Sequence, residues 1–296
     1  VNFYFAKLSC GAYLGDEMIK LFKKPKKTKK SKTPAYLGPV EGAYVIGDIH
    51  GCFDKMISLL KRIREDIGRE YPNISALSGE DLPKIIFLGD LVDRGPKSKE
   101  VIESLMSYKP SYARPIFLAG NHEEVFLKVL EGDLSSLRFW YKFGGRECMR
   151  SYGVTNLGQI HHNPESLLHK LQGRVPRSHF DFISSFQNYY LAGDYLCVHA
   201  GIKPKVPLDR QDEKDFRWIR DTFLQYKKPH PYRVIHGHTI SEEPENLPNR
   251  IGVDTGGYKG NPLTAVFIRN ETVRFIQSET FEEPSAEPES IFNTSG

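Results

Sequence analysis

One pattern recurs along this chain. An apolar run stops at or near a glycine, and a residue able to bind a metal or a phosphate follows at once. Ala43-Tyr-Val-Ile-Gly-Asp48 leads into Ile49-His50-Gly51. Lys84-Ile-Ile-Phe-Leu-Gly89 leads into Asp90-Leu91-Val92-Asp93-Arg94-Gly95. Pro115-Ile-Phe-Leu-Ala-Gly120 leads into Asn121-His122-Glu123. Further on, Tyr195-Leu-Cys-Val198 precedes His199-Ala200-Gly201, and Tyr232-Arg-Val-Ile235 precedes His236-Gly237-His238-Thr239, with Trp218-Ile219-Arg220 between them. Short β-branched and aromatic runs bounded by glycine read as strands, and glycine allows the sharp turn that follows. Open α/β sheets bind ligands beyond the carboxyl ends of their strands. One fold can therefore gather these scattered residues at one edge.

The intervening segments have helical spacing. Met56, Leu59, Leu60, Ile63 and Ile67 mark a helix over 53–71, with Asp54 suited to its N-terminus. Val101, Ile102, Leu105 and Met106 mark another over 97–108, and a third is expected over 123–130. This β-α alternation predicts an α/β sheet covered by helices. Residues 132–190 change character, with the Gly144-Gly145 pair, a loop at 153–164 and helical patches at 167–171 and 180–186. They read as a mostly helical insertion over one edge of the site. Strands resume at 188–191, 195–198, 232–235, 249–253, 263–268 and 272–276, the last two flanking a hairpin-like turn at 269–271. The expectation is two packed sheets with helices outside.

Length and charge set the boundaries. The 296 residues suffice for one large domain or two small ones. The division expected is an N-terminal segment at 1–40 with a Lys-rich, disordered linker, a catalytic domain at 41–281, and a disordered tail at 282–296. Removing the seven lysines between Lys23 and Lys32 turns the net charge of +4 into −3, so the body is not a basic nucleic-acid binder. The lysine run reads first as a solvated arm. Its sharper reading is a weak tether to anionic surfaces, aided by the aromatic residues at 1–5. Four dispersed cysteines with no C-x-x-C pair argue against a zinc ribbon or a disulfide scaffold, and the simplest setting is cytoplasmic. No apolar run approaches the ~18 residues of a membrane span. Lys7 interrupts the apolar start, which does not have a signal-peptide pattern.

Any one of these strand-end residues, alone, is more often a turn or cap residue than a ligand. Their recurrence in one context changes that. Asp48 and His50 can chelate one ion, Asp90 can bridge to a second, and Asn121, His199 and His238 can complete the second site. Mixed oxygen and nitrogen ligands suit Mn²⁺, Fe or Zn²⁺ better than Ca²⁺. Two ions ~3.5–4 Å apart can hold a hydroxide and stabilise an in-line displacement at phosphorus. His122 is the candidate acid, Asp93 the group that orients it, and Arg94 a bidentate phosphate clamp.

Asp-x-His-Gly, Gly-Asp-x-Val-Asp-Arg-Gly and Gly-Asn-His-Glu, in this order, resemble the phosphoprotein phosphatase family of calcineurin-like metallophosphoesterases. The likeness is greatest to the bacterial and bacteriophage-lambda-type enzymes and runs from about Ala43 to Ile276. Val198-His-Ala-Gly201, Trp218-Ile-Arg220, His236-Gly-His-Thr239 and Val253-Asp-Thr-Gly256 also have counterparts there. The resemblance implies a central β-sandwich of two mixed sheets flanked by helices. It also implies two divalent metals, Mn²⁺ before Fe or Zn²⁺. The first metal would take Asp48, His50 and Asp90, and the second Asp90, Asn121, His199 and His238. His122 would be the proton donor paired with Asp93, and Arg94 and Arg220 would bind phosphate. For Arg220 only the resemblance supports that role over a helix-surface arginine. It also selects His238 over His236 as the ligand. One departure is Phe143-Gly144-Gly145, where bacterial relatives commonly have Asn-Gly-Gly, and this affects the substrate rim. The function expected is a protein serine/threonine phosphatase acting on phosphorylated proteins. The alternative is a dinucleoside-polyphosphate hydrolase, weighed second because symmetrical enzymes of that kind often have Ala where Asp93 stands. A non-catalytic, metal-dependent binding module is the distant third.

Overall fold

Side-chain alternation along short strands builds this molecule in layers. The computed structural model describes residues 42–269 and 272–279. The Lys-rich arm with its expected surface contact, the tail at 282–296 and turn residues 270–271 fall outside them. The strands among the described residues are β1 (Ala43–Ile46), β2 (Lys84–Phe87), β3 (Arg114–Phe117), β4 (Tyr189–Ala192), β5 (Tyr195–Val198), β6 (Arg233–His236), β7 (Glu245–Asn246), β8 (Arg250–Gly252), β9 (Thr264–Arg269) and β10 (Thr272–Gln277). They form two five-stranded sheets, ordered β10-β9-β1-β2-β3 and β4-β5-β6-β8-β7. Both are mixed. β1, β2 and β3 run parallel, with β9 and β10 added antiparallel. β5, β6 and β8 run parallel between antiparallel β4 and β7.

Parallel neighbours need crossovers. The first two are α1 (Phe53–Glu70) and α2 (Ser98–Ser107), and α3 (Asn121–Leu130) leaves β3. In α1 the buried apolar set is Met56, Leu59, Leu60, Ile63 and Ile67, as the spacing predicts. Tyr44, Ile46, Ile85 and Phe87 face these helices, while Ala43, Val45, Ile86 and Leu88 face the second sheet. From the other side Tyr195, Cys197, Ile235 and Ile251 meet them. Leu196, Val198 and Val234 point outward onto Phe216 of α8 (Glu213–Trp218) and Phe223 of α9 (Asp221–Leu224). The order is helices, sheet, sheet, helices. At ~1.5–3 kcal/mol for each fully buried aliphatic or Phe side chain, the seam between the sheets fixes how they face one another.

Between α3 and β4 lie α4 (Leu134–Trp140), α5 (Arg146–Ser151), α6 (Pro164–Arg174) and α7 (Arg177–Ser184). Trp140, Met149, Leu167, Leu171 and Ile183 share a core with Phe126 and Val129 of α3. Asp133 caps α4 by accepting from Ser135 and Ser136 N–H, and Asn163 caps α6 ahead of Pro164. A π-type turn, Tyr141–Gly145, joins α4 to α5. Helices α4, α5, α8 and α9 and the two-residue β7 were not foreseen. Each is too short to show a period, and Gly144-Gly145 reads locally as a loop. Among the described residues no helix is long and apolar enough to cross a membrane.

Asp66 ties α1 to the outer strand β10. Its buried carboxylate accepts from Arg274 at 2.9 Å on each oxygen, from Tyr44 Oη at 2.9 Å and from Arg69 at 3.1 Å. Burial raises its pKa, but these hydrogen bonds, Arg274 first, outweigh that and hold it below the usual carboxylate value. A depressed folded pKa gives stability that is present above the unfolded pKa and lost as pH falls through the folded one. Asp66→Asn is expected to lower stability near neutral pH by about 1.5–3 kcal/mol, the usual worth of a hydrogen bond to a charged group. The gap from wild type should close in acid, as read by urea unfolding at several pH values.

Candidate active site

The loops leaving β1, β2, β3, β5 and β6 meet at one rim, tied by their own backbones. Asp90 C=O accepts from Ile49 N–H (3.1 Å) and His50 N–H (2.8 Å), His50 C=O from Gly95 N–H (2.9 Å), and His199 C=O from Gly237 N–H (2.8 Å). The two sheets are joined across the rim as well. His238 N–H donates to both Asp48 oxygens at 3.1 and 3.2 Å. Gly237 leaves room for this, because a Cβ there would crowd Asp48 Oδ1 and push that carboxylate aside. His50, Asp90, Asp93, Arg94 and His238 all have positive φ. Such backbone costs ~1–3 kcal/mol per non-glycine residue and persists where the surroundings over-determine it.

Glu123 is the hidden brace of this rim. Fully buried, its carboxylate accepts from Asp90 N–H (2.7 Å), Leu91 N–H (2.7 Å) and Gly120 N–H (2.9 Å). Burial and the Asp90 charge push its pKa up to about 7, against the pull of the backbone donors. Asp90 Oδ1 in turn accepts His122 N–H at 3.0 Å.

Two groups of potential ligand atoms form around Asp90. One is His50, Asp90 and His122, and the other is Asp90, His199 and His238, with ligand atoms inside 4.8 Å of one another in each. His50 Nδ1–H donates to Val92 C=O and His199 Nδ1–H to Leu88 C=O, both at 2.9 Å. Each bond keeps the neutral ring's proton on Nδ1 and leaves Nε2 as a bare lone pair. His50 Nε2 faces Asp90 Oδ2 (3.6 Å) and Asp48 Oδ2 (3.9 Å). His199 Nε2 faces Asn121 Oδ1 (3.0 Å), His238 Nδ1 (3.2 Å) and Asp90 Oδ2 (3.4 Å). Acceptors converging in this way repel one another unless a metal ion or a proton lies among them. An imidazole held through its other nitrogen by a carbonyl is also the usual setting of a metal-ligating histidine. The donor set thus fits divalent metal.

Protons compete with a metal for the same lone pairs. Burial lowers the His199 pKa, but Asp90 and then Asp48 outweigh it and hold it up at about 9. Burial and then His122 push His50 down to about 3. Asp48 stands well above the usual carboxylate value because of burial and the neighbouring Asp254, to which it is hydrogen-bonded. Asp90 stands well below it, since His199 and His122 overcome its burial.

His122 belongs to the first group by distance but is engaged elsewhere. Its Nδ1 donates to Asp93 Oδ2 at 2.6 Å, and Arg94 Nη2 lies 3.3 Å from its Nε2. A guanidinium there disfavours a metal and also opposes the ring's own cation, which Asp90 and Asp93 favour. Burial lowers its pKa, but Asp90 and Asp93 outweigh that and the net direction is upward. Asp93 is shared with Trp140, whose Nε1–H donates to Oδ2 at 2.7 Å. Arg94 donates to Tyr258 Oη at 2.7 Å and lies over that ring. Exposed Arg220 sits at the junction of α8 and α9 and donates to His238 C=O and Thr239 Oγ1, each at 3.3 Å, on the opposite rim. His236 points away, its ring 5.1 Å from Phe223, and burial lowers its pKa to about 4.

Sequence reasoning assigned no role to Glu123, Trp140, Tyr258 or Asp254. Glu123 and Asp254 lay inside quoted motifs. Trp140 and Tyr258 follow no strand end, and nothing local to them signals the site.

Fold and site define a metal-dependent phosphoesterase, and the chain belongs to the calcineurin-like phosphoesterase family, whose model matches residues 43–276. Among particular proteins it is similar to the bis(5′-nucleosyl)-tetraphosphatase PrpE [asymmetrical] of Bacillus subtilis strain 168. That match is 27% identical over 260 residues, covering 82% of this chain and 95% of the relative. The same-named protein of Anoxybacillus flavithermus is 27% identical over 267 residues, covering 82% and 94%. A solved structure described as a candidate diadenosine tetraphosphatase shares the fold at a TM-score of 0.51 and 20% identity, covering 84% of this chain and all of that one.

The two PrpE relatives overturn the expectation of a protein serine/threonine phosphatase acting on phosphorylated proteins. The residue types in the three motifs suit chemistry at a phosphorus, and a phosphorus looks alike in a phosphomonoester and a phosphoanhydride. Asp93, taken as a mark of protein phosphatases, is fully buried and spent on His122 and Trp140. A carboxylate so enclosed does not by itself separate one phosphate ester from another.

Gly237→Ala is expected to displace Asp48 and weaken Mn²⁺ binding ~10–100-fold, the range for residues that support metal ligands. Isothermal titration of the metal-stripped protein measures this, with circular dichroism as the check that the fold is kept.

Proposed function

We propose that this protein is a two-metal dinucleoside-polyphosphate hydrolase that cleaves a bis(5′-nucleosyl) tetraphosphate asymmetrically. The observation that carries this reading is similarity along four-fifths of the chain to proteins named for that activity. Water adds to one phosphorus, a P–O–P bridge breaks, and a nucleoside monophosphate and a nucleoside triphosphate leave. Asp48, His50 and Asp90 would hold one divalent ion, and Asp90, Asn121, His199 and His238 the other. Mn²⁺ is the first choice, then Fe or Zn²⁺. When bound, the ions supply Lewis acidity to the phosphate and lower the pKa of the attacking water.

The chain's own groups do the rest. Arg94, braced by Tyr258, and Arg220, from the far rim, grip phosphate oxygens as bidentate forks. His122 delivers a proton from Nε2 to the departing bridge oxygen. Asp93, fixed by Trp140, keeps the ring's Nδ1–H in place and stabilises its cation. The raised His122 pKa keeps the acid form present at neutral pH, and that form is lost as pH rises through the raised value.

Incubating the purified protein with diadenosine tetraphosphate and Mn²⁺ is expected to give AMP and ATP by anion-exchange chromatography, with chelator abolishing the rate. Two molecules of ADP would mean symmetric cleavage, and no turnover would sink the enzyme reading. His122→Asn should lower kcat ~10²–10⁴-fold, the usual span of general acid catalysis. It should also flatten the alkaline fall of the rate while Mn²⁺ binding is kept.

A further inference from the structure

We propose that Phe143, backed by Phe139, is a stacking face for one nucleobase of the substrate, which rests on the dinucleotide reading above. The exposed large apolar side chains among the described residues are Ile57, Phe139, Phe143 and Leu191. Phe139 and Phe143, 42% and 52% exposed, are in contact, with ring centroids 4.5 Å apart. Trp218 extends the pair, its ring 6.3 Å from Phe139.

The position of this aromatic pair is fixed by the site. Phe143 precedes Gly144, whose φ of +116° turns the backbone so that its C=O accepts Arg94 N–H at 3.0 Å. A Cβ on Gly144 would lie 2.7 Å from Arg94 Cγ, so this turn and the Arg94 side chain are in direct contact. On the other side, Trp218 Nε1–H donates to Glu124 Oε2 at 3.0 Å. Glu124 is two residues from His122, and Trp218 two residues from Arg220. The aromatic patch therefore lies between the elements that carry the two phosphate-gripping arginines. Arg138 and Lys142 are exposed on the same segment and add positive charge beside it. Cationic forks next to a flat, water-exposed π face match a nucleotide, with polyphosphate on the arginines and base on the ring. Two rings are too few for a protein partner, but every base has a π face to stack.

The same face explains how one catalytic centre can prefer a dinucleotide. Metals and arginines read phosphate alone, and the ring adds affinity only where a base is attached.

Steady-state kinetics on diadenosine tetraphosphate would compare wild type, Phe143→Ala and Phe143→Trp, with inorganic tetrapolyphosphate as a base-free inhibitor. Phe143→Ala is expected to raise KM ~10-fold or more, the worth of one base–aromatic stack, with kcat largely kept. The tetrapolyphosphate inhibition constant should not move, and Phe143→Trp should keep the wild-type KM. An active wild type with unchanged KM in Phe143→Ala overturns the stacking face alone. So does a parallel rise in the tetrapolyphosphate constant, because Phe143 would then act through Arg94. A wild type inert on the dinucleotide overturns both this inference and the proposed function.

Discussion

Asp90 is the residue on which the rest of the site depends. Its C=O holds the loop after β1, its N–H is held by Glu123, Oδ1 accepts the first free N–H of α3 beyond Asn121, and Oδ2 faces His50, His122 and His199. Three strand-end loops from one sheet and a histidine from the other are thus referred to one carboxylate. The left-handed backbone at Asp90 is what lets main chain and side chain serve both purposes. Without the buried Glu123 the N–H groups of the Asp90–Leu91 turn would be unpaired inside the protein, a cost that locks the turn in place.

That concentration of strain is tolerated because the scaffold beneath it is plain. The seam between the sheets is aliphatic, and its alternating residues leave the sheets little freedom to slide. The helical insertion joins the first core rather than standing apart, and Trp140 spans both roles. It stacks on Phe126 at 5.2 Å and donates to Asp93, so packing of the insertion and orientation of His122 are one structural fact.

The proposed function and the proposed base-stacking face place the chemistry at phosphorus and the choice of substrate on different surfaces. On the proposed reading, everything inside the rim would read metal, phosphate or proton, and all of it would serve a monoester as well as an anhydride. Hence the motif-based expectation of a protein phosphatase went further than those residues allow, and the long alignments with tetraphosphatases corrected it. Discrimination is then left to the rim, where the proposed stacking residue Phe143 departs from the asparagine expected by resemblance.

The sequence alone determined the layered α/β architecture, because strand and helix periods are written in residues two or three to four apart. It also placed Asp48, Asp90, Asn121, His199 and His238 at strand ends, since each follows an apolar run. Tertiary structure decided what those residues face. It joined Asp48 to the His238 backbone across 190 positions, and it pinned the tautomers of His50 and His199 on the carbonyls of Val92 and Leu88. Trp140, Tyr258 and Glu124 entered the site the same way, and His236 was turned onto Phe223. A periodic pattern reports only which face of its own element is buried. Which distant group waits on that face is set by how the two sheets pack, and no local stretch of this chain encodes it.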